Sequence, residues 1–114
     1  MNDRVSIATP GAPAAIGPYS QAIRANGFVF VSGQVPADPD TGNRVPGGIA
    51  EQTGRALNSL AAILEAAGSD LDHVVKTTVY LAEMQDFQAM NQVYERHFSA
   101  APPARTTVAV AGLP

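Results

Sequence analysis

Pro102-Pro103-Ala104-Arg105-Thr106-Thr107-Val108-Ala109-Val110 is the stretch from which the fold can be read. The two prolines forbid helix, and the residues after them are β-branched with a period of two, which predicts a strand. Thr106, Val108 and Val110 then share one face, and Arg105, Thr107 and Ala109 the other. Arg105 opens the strand with no acidic residue within eight positions on either side. Any anionic partner must therefore come from distant sequence, another chain or a ligand. An arginine at a strand end is ordinarily a solvated surface residue. Its planar guanidinium nonetheless presents paired donors matched to a carboxylate, so Arg105 is also the natural anchor for a small acid.

Upstream of the prolines, Phe87, Met90, Val93, Tyr94, His97 and Phe98 fall at helical spacing, and Asp86 stands where it can cap that helix. The stripe reads as core. Asn91 lies beside it, its amide either aimed at the sheet edge or simply solvated or bonded back to the helix backbone. Val74 to Leu81 is rich in β-branched residues and reads as a central strand. Ile49, Thr53, Ala56, Leu57, Leu60, Ile63, Leu64 and Ala67 predict a core-facing helix of about five turns that Gly68 stops. His73 and His97 stand without an acid or a second histidine at ligand spacing and read as structural or exposed.

The segment from Ala37 to Gly48 has the chemistry of a surface loop; Asp38 and Asp40, with Pro39 between them, supply too few oxygens for a metal. Before it, Ala22-Ile-Arg-Ala25, Asn26-Gly27 and Phe28-Val-Phe-Val31 predict a hairpin with a type I′ turn. The hairpin leads into Ser32-Gly33. Gly33 either lets an amide approach a ligand closely or is a turn or bulge glycine. In Gly17-Pro18-Tyr19-Ser20, Tyr19 is either a lid over the core or a phenol offered to a ligand. Val5-Ser-Ile-Ala is a short first strand that Thr9-Pro10-Gly11 stops.

The order strand, hairpin, helix, strand, helix, strand is an α+β pattern: one mixed sheet with both helices on one face. Either Val29 and Val31 or Phe28 and Phe30 must then point away from the helices, and an apolar outer face needs another sheet or subunit. An oligomer closed through its sheets is the expectation.

The 114 residues form a single domain, 1–114. Only 15% are charged, against roughly 25% in a typical soluble domain, which fits a surface partly covered by other subunits. A net charge of -3 with no basic run disfavours a nucleic-acid partner. With no cysteine, disulfides, a thiol nucleophile and thiolate metal sites are excluded. Met1-Asn-Asp-Arg leads into no apolar segment and no stretch reaches the roughly 20 residues of a membrane span, so no membrane partner is expected and a cytoplasmic location is the default.

Ala14-Ala15-Ile16-Gly17-Pro18-Tyr19-Ser20-Gln21, Val31-Ser32-Gly33-Gln34, Val75-Lys76-Thr77-Thr78-Val79-Tyr80-Leu81, Asn91 with Tyr94, and Pro103-Ala104-Arg105-Thr106 together resemble the RidA/YjgF family of reactive intermediate deaminases, in matching order through nearly the whole chain. The resemblance implies a chorismate-mutase-like α+β fold, a homotrimer whose sheets form an internal barrel, and a site in each cleft between subunits. It implies hydrolysis of 2-imino acids such as 2-iminobutanoate and 2-iminopropanoate, or their enamines, to 2-keto acids and ammonia, without a cofactor. Arg105 then holds the substrate carboxylate, Tyr19, Ser32, Gly33 and Asn91 line the pocket, and Thr107 stands where the family often has cysteine. A backbone carbonyl near Thr107 or the Asn91 amide positions the water, and the Gly33 N–H holds a carboxylate oxygen. The resemblance also implies a further strand after Leu113-Pro114, carrying a glutamate that orients the attacking water. The numbered sequence ends at Pro114, so the expectation is either a shortened C-terminus or a protein without that strand and its acid.

Another class of function fits the same residues: a non-catalytic module whose clefts sense 2-keto acids or related carboxylates. Ribonuclease activity is disfavoured by the negative charge and the lack of paired histidines. A mutase acting on a dicarboxylate would need more convergent cations than Arg105, Arg24 and Lys76 supply.

Overall fold

The computed structural model describes residues 3–98 and 101–114; Met1 and Asn2, the start of the segment expected to lead into no apolar run, lie outside the described residues. The elements run β1 (Val5–Ile7), β2 (Ala22–Ala25), β3 (Phe28–Val31), α1 (Ile49–Ala66), β4 (Lys76–Leu81), α2 (Phe87–His97) and β5 (Ala104–Ala109). Short 3₁₀ turns, Leu71–His73 and Met84–Asp86, precede β4 and α2.

The hairpin forms where the sequence places it. Asn26 and Gly27 both have positive φ, 53° and 81°, as a type I′ turn requires, and the register pairs Ala25 with Phe28 and Ala22 with Val31. β1 adds antiparallel to β2, aligning Ile7 with Ala22. β4 and β5 pair in parallel, aligning Thr77 with Arg105 and Val79 with Thr107. Both pairing modes are therefore present, but the expected single mixed sheet is divided into a three-stranded sheet, β1-β2-β3, and a two-stranded one, β4-β5. Among the described residues β4 pairs only with β5, so it is not the central strand its composition suggests. β-branched alternation reports which face a residue takes and is silent about which strand lies beside it.

α1 ties the two sheets together. Near its C-terminus Ile63 and Ala67 pack with Ile7, Ala12 and Ala22, with Val29 and Val31 against them. Nearer its start Leu57 packs with Leu81, Met90, Tyr94 and Phe98, flanked by Ile49, Leu60 and Val79. The helices thus cover one side of each sheet, and the choice left by the hairpin is resolved: Val29 and Val31 turn inward, while Phe28 and Phe30 stand outward, 58% and 62% exposed. Tyr80 and Val108 are exposed on the other sheet.

Helix ends follow local chemistry. Glu51 Oε1 accepts the Gly48 N–H at 2.7 Å and closes the first turn of α1. At the other end Gly68 has φ +87°, and Ser69 N–H reaches back to Leu64 O at 2.8 Å, a Schellman stop, while Arg24 Nη1 donates to Ala67 O at 3.0 Å. Gly68→Ala is expected to lower the unfolding free energy by about 1 kcal/mol, the cost of a Cβ in the left-handed region, as a shift in urea midpoint. An unchanged midpoint would count against a strained stop. Asp86 takes the N-cap position of α2, but its side chain makes no capping hydrogen bond, because the preceding 3₁₀ turn leads directly into the helix.

Candidate functional site

The parallel pair β4-β5 with α2 between them brings together the residues with unspent chemistry. Arg105 and Thr107 lie on the same, half-buried face of β5, toward the helices. On α2, Phe87, Asn91 and Tyr94 are spaced i, i+4 and i+7 and share one face. The Arg105 Cζ lies 4.7 Å from the Tyr94 ring centroid and 5.5 Å from that of Phe87. Tyr94 is itself fixed: its hydroxyl is 2.6 Å from Thr77 Oγ1, and Thr77 is the cross-strand neighbour of Arg105.

What Arg105 lacks is an acid. The Asp70 carboxylate is paired with His73, whereas among the described residues no carboxylate is paired with Arg105. Among the described residues, buried side-chain polar atoms without a hydrogen-bond partner include Asn91 Oδ1, Thr107 Oγ1 and, on α1, Arg55 Nε. Two of these belong to this cluster. Buried polar groups are ordinarily satisfied, so orphans beside a half-buried cation mark a place built for something else.

The other expected site residues form a second group. Ser32 Oγ donates to Ser20 O at 2.6 Å and Ser32 N–H to Gln21 O at 2.9 Å, tying the end of β3 to the loop of Tyr19. Gln21 is buried; its Oε1 accepts Thr9 N–H at 2.7 Å and its Nε2 donates to Pro13 O at 2.8 Å, among others. Tyr19 is exposed, its hydroxyl accepting Ile16 N–H at 3.2 Å, and it borders an open groove of about 410 Å³ with Ser6, Thr9 and Ala14. It is therefore not a lid over the core. A Cβ at Gly33 would meet open space and the residue has no positive φ, so neither crowding nor a turn within this chain calls for glycine there. No hydrogen bond or ion pair among the described residues joins this group to the Arg105 cluster.

Sequence reasoning missed Phe87, Tyr94 and Thr77 as site residues. The two rings belong to an apolar stripe, and a stripe does not distinguish a ring edge in the core from a ring face offered to a cation. His97 is structural, as expected, its Nδ1 at 3.0 Å from Val93 O and Nε2 at 3.3 Å from Asn58 Oδ1.

His73 corrects the expectation that it stands without an acid: Nδ1 lies 2.7 Å from Asp70 Oδ1, three residues earlier. The hydrogen bond and charge of Asp70 raise the histidine pKa, and the hydrogen bond to His73 lowers that of Asp70. The attraction is complete only while His73 is protonated and Asp70 ionised. It fades as pH rises through the raised histidine value and as pH falls through the lowered aspartate value. Both groups are exposed, so the effect on stability is small. In an NMR titration His73 should titrate above an ordinary histidine, and Asp70→Asn should return it there; an unmoved midpoint would refute the pair.

The family model described as endoribonuclease L-PSP matches residues 9–114. A RutC family protein of Pyrococcus abyssi is 53% identical over 108 residues, 95% of this chain and 85% of the relative. The mouse protein named 2-iminobutanoate/2-iminopropanoate deaminase is 50% identical over 111 residues, 97% of this chain and 82% of the relative. Among solved structures, RidA from an Antarctic Psychrobacter superposes with a TM-score of 0.92 at 41% identity, covering 96% of this chain and 89% of that one. With a match over nearly its whole length and half its residues shared with the mouse deaminase, the chain belongs to the RidA/YjgF family.

Proposed function

We propose that the chain is a cofactor-independent deaminase that hydrolyses 2-imino acids, such as 2-iminobutanoate and 2-iminopropanoate, to 2-keto acids and ammonia. The observation that carries this reading is the half-buried Arg105, with no acid beside it and with Asn91 Oδ1 and Thr107 Oγ1 unpaired nearby. The names of the mammalian relatives support it.

A protonated imine is already electrophilic at carbon, so the protein need not form a covalent intermediate. Arg105 clasps the carboxylate with two parallel N–H donors. Water adds its oxygen to C2 while the C=N pair moves to nitrogen; one proton passes from the added water to that nitrogen, and the C–N bond then breaks as the hydroxyl forms C=O and gives its proton to the departing ammonia, which leaves as ammonium. Asn91 Oδ1 or a backbone carbonyl near Thr107 orients the water, and fixed dipoles there act without reorganising.

The site is completed between subunits of a homotrimer. Among the described residues no hydrogen bond or ion pair joins Tyr19, Ser32 or Gly33 to Arg105, a Cβ at Gly33 would meet open space, and Phe28 and Phe30 offer an apolar outer face. A neighbour's loop brings the Tyr19 phenol and the Gly33 N–H to the substrate held by Arg105. Cleavage of RNA, the activity in the family model's description, is disfavoured by the net charge of -3 and by the engagement of His73 and His97 in separate contacts.

The test couples the protein to a pyridoxal-phosphate serine/threonine dehydratase and follows 2-keto acid release. Release that the added protein does not accelerate would refute the deaminase. Calorimetric binding of 2-oxobutanoate without acceleration would support a carboxylate-sensing module instead.

A further inference from the structure

We infer that Phe87, Tyr94 and Thr77 form an aromatic shelf that holds the Arg105 guanidinium in its carboxylate-binding pose, making them positioning residues. This rests on reading Arg105 as the carboxylate anchor. An arginine side chain has many rotamers, and freezing it when a ligand arrives costs affinity. A carboxylate could hold the guanidinium in place, but that would use the very N–H donors a substrate needs. Here the guanidinium lies within cation–π range of two rings, at 4.7 Å and 5.5 Å from their centroids. Attraction through a π face consumes no N–H donor, so the guanidinium edge stays available.

The Tyr94 ring does not choose its own orientation. Its hydroxyl is 2.6 Å from Thr77 Oγ1, and its other neighbour, the Phe98 ring, lies 4.5 Å away between centroids. Because Thr77 sits directly opposite Arg105 in the parallel ladder, the shelf and the residue it supports are fixed to the same two strands. Phe87 adds the second ring from the first turn of α2.

The test uses the full chain, with 2-oxobutanoate as the probe. Phe87→Leu keeps apolar bulk and removes the ring, and is expected to weaken binding about three- to five-fold, to raise KM with kcat within about two-fold, and to move the Arg105 side-chain NMR resonances out of their ring-current shift. Phe87→Tyr should restore all three. Tyr94→Phe keeps the ring but breaks the link to Thr77; it should match Thr77→Val, with the double variant no worse than either, since both remove one bond. If Phe87→Leu does not fold, that pair and the Arg105 resonances decide. Binding and Arg105 resonances unchanged by ring removal would overturn the shelf. Binding that depends on Arg105 and weakens in Phe87→Leu, in a protein without hydrolysis, supports the shelf and removes only the deaminase reading. A wild-type protein that binds no 2-oxobutanoate overturns both.

Discussion

Arg105→Ala is expected to lower kcat/KM for imino acid hydrolysis by two to three orders of magnitude, measured as 2-keto acid release in the coupled assay. Losing one side of a desolvated, hydrogen-bonded charge pair typically costs about 2–5 kcal/mol, and each 1.4 kcal/mol is roughly tenfold. Arg105 is half-buried with no internal acid to satisfy, so its removal orphans the substrate rather than a protein group. For the same reason folding should be spared. Arg105→Lys keeps the charge but loses the planar fork and the fit over the Tyr94 ring, so only a minor part of the loss should be recovered. Full activity in Arg105→Ala would remove the anchor from the mechanism.

The second large effect is on assembly. If the proposed trimer forms through this face, Phe30→Asp is expected to convert it to a monomer in sedimentation and to abolish turnover. Phe30 is 62% exposed and its ring centroid is 6.3 Å from that of Phe28, so a carboxylate there disturbs little within one chain. Buried in a subunit interface, each phenylalanine is worth about 1.5–3 kcal/mol, and a desolvated carboxylate costs several more, once per subunit. The helical circular dichroism should remain. A Phe30→Asp protein that stays trimeric would place the subunit contacts elsewhere, and a fully active monomer would refute a site shared between subunits.

The parts of the fold legible in the sequence are those set by local rules. The Asn26-Gly27 turn fixes the hairpin register, and Gly68 ends α1 within a residue or two of its place. The β4–β5 partnership and the gap between the sheets depend on pairings across the chain, which alternation does not encode. In the candidate site, Arg105 stands out because no acid surrounds it in sequence, and among the described residues none is paired with it in space. Asn91 and Thr107 gain their weight only from burial without partners. Phe87 and Tyr94 are hidden by their hydrophobicity: the same six-membered rings serve packing at the edge and cation binding at the face. The Asp70–His73 contact is a spacing of three in plain view, which a search for metal ligands passes over because it asks for several donors and not for one ion-pair partner.

The division of the β-structure into two sheets bridged by α1 has a mechanical consequence. Because Leu57 and Ile63 of the same helix anchor different clusters, the rod cannot fray from one half without loosening the other. The hairpin and the βαβ unit, each too small to persist alone, are thereby made to melt together, and the amides of α1 should be the last in the molecule to trade protons with deuterated solvent.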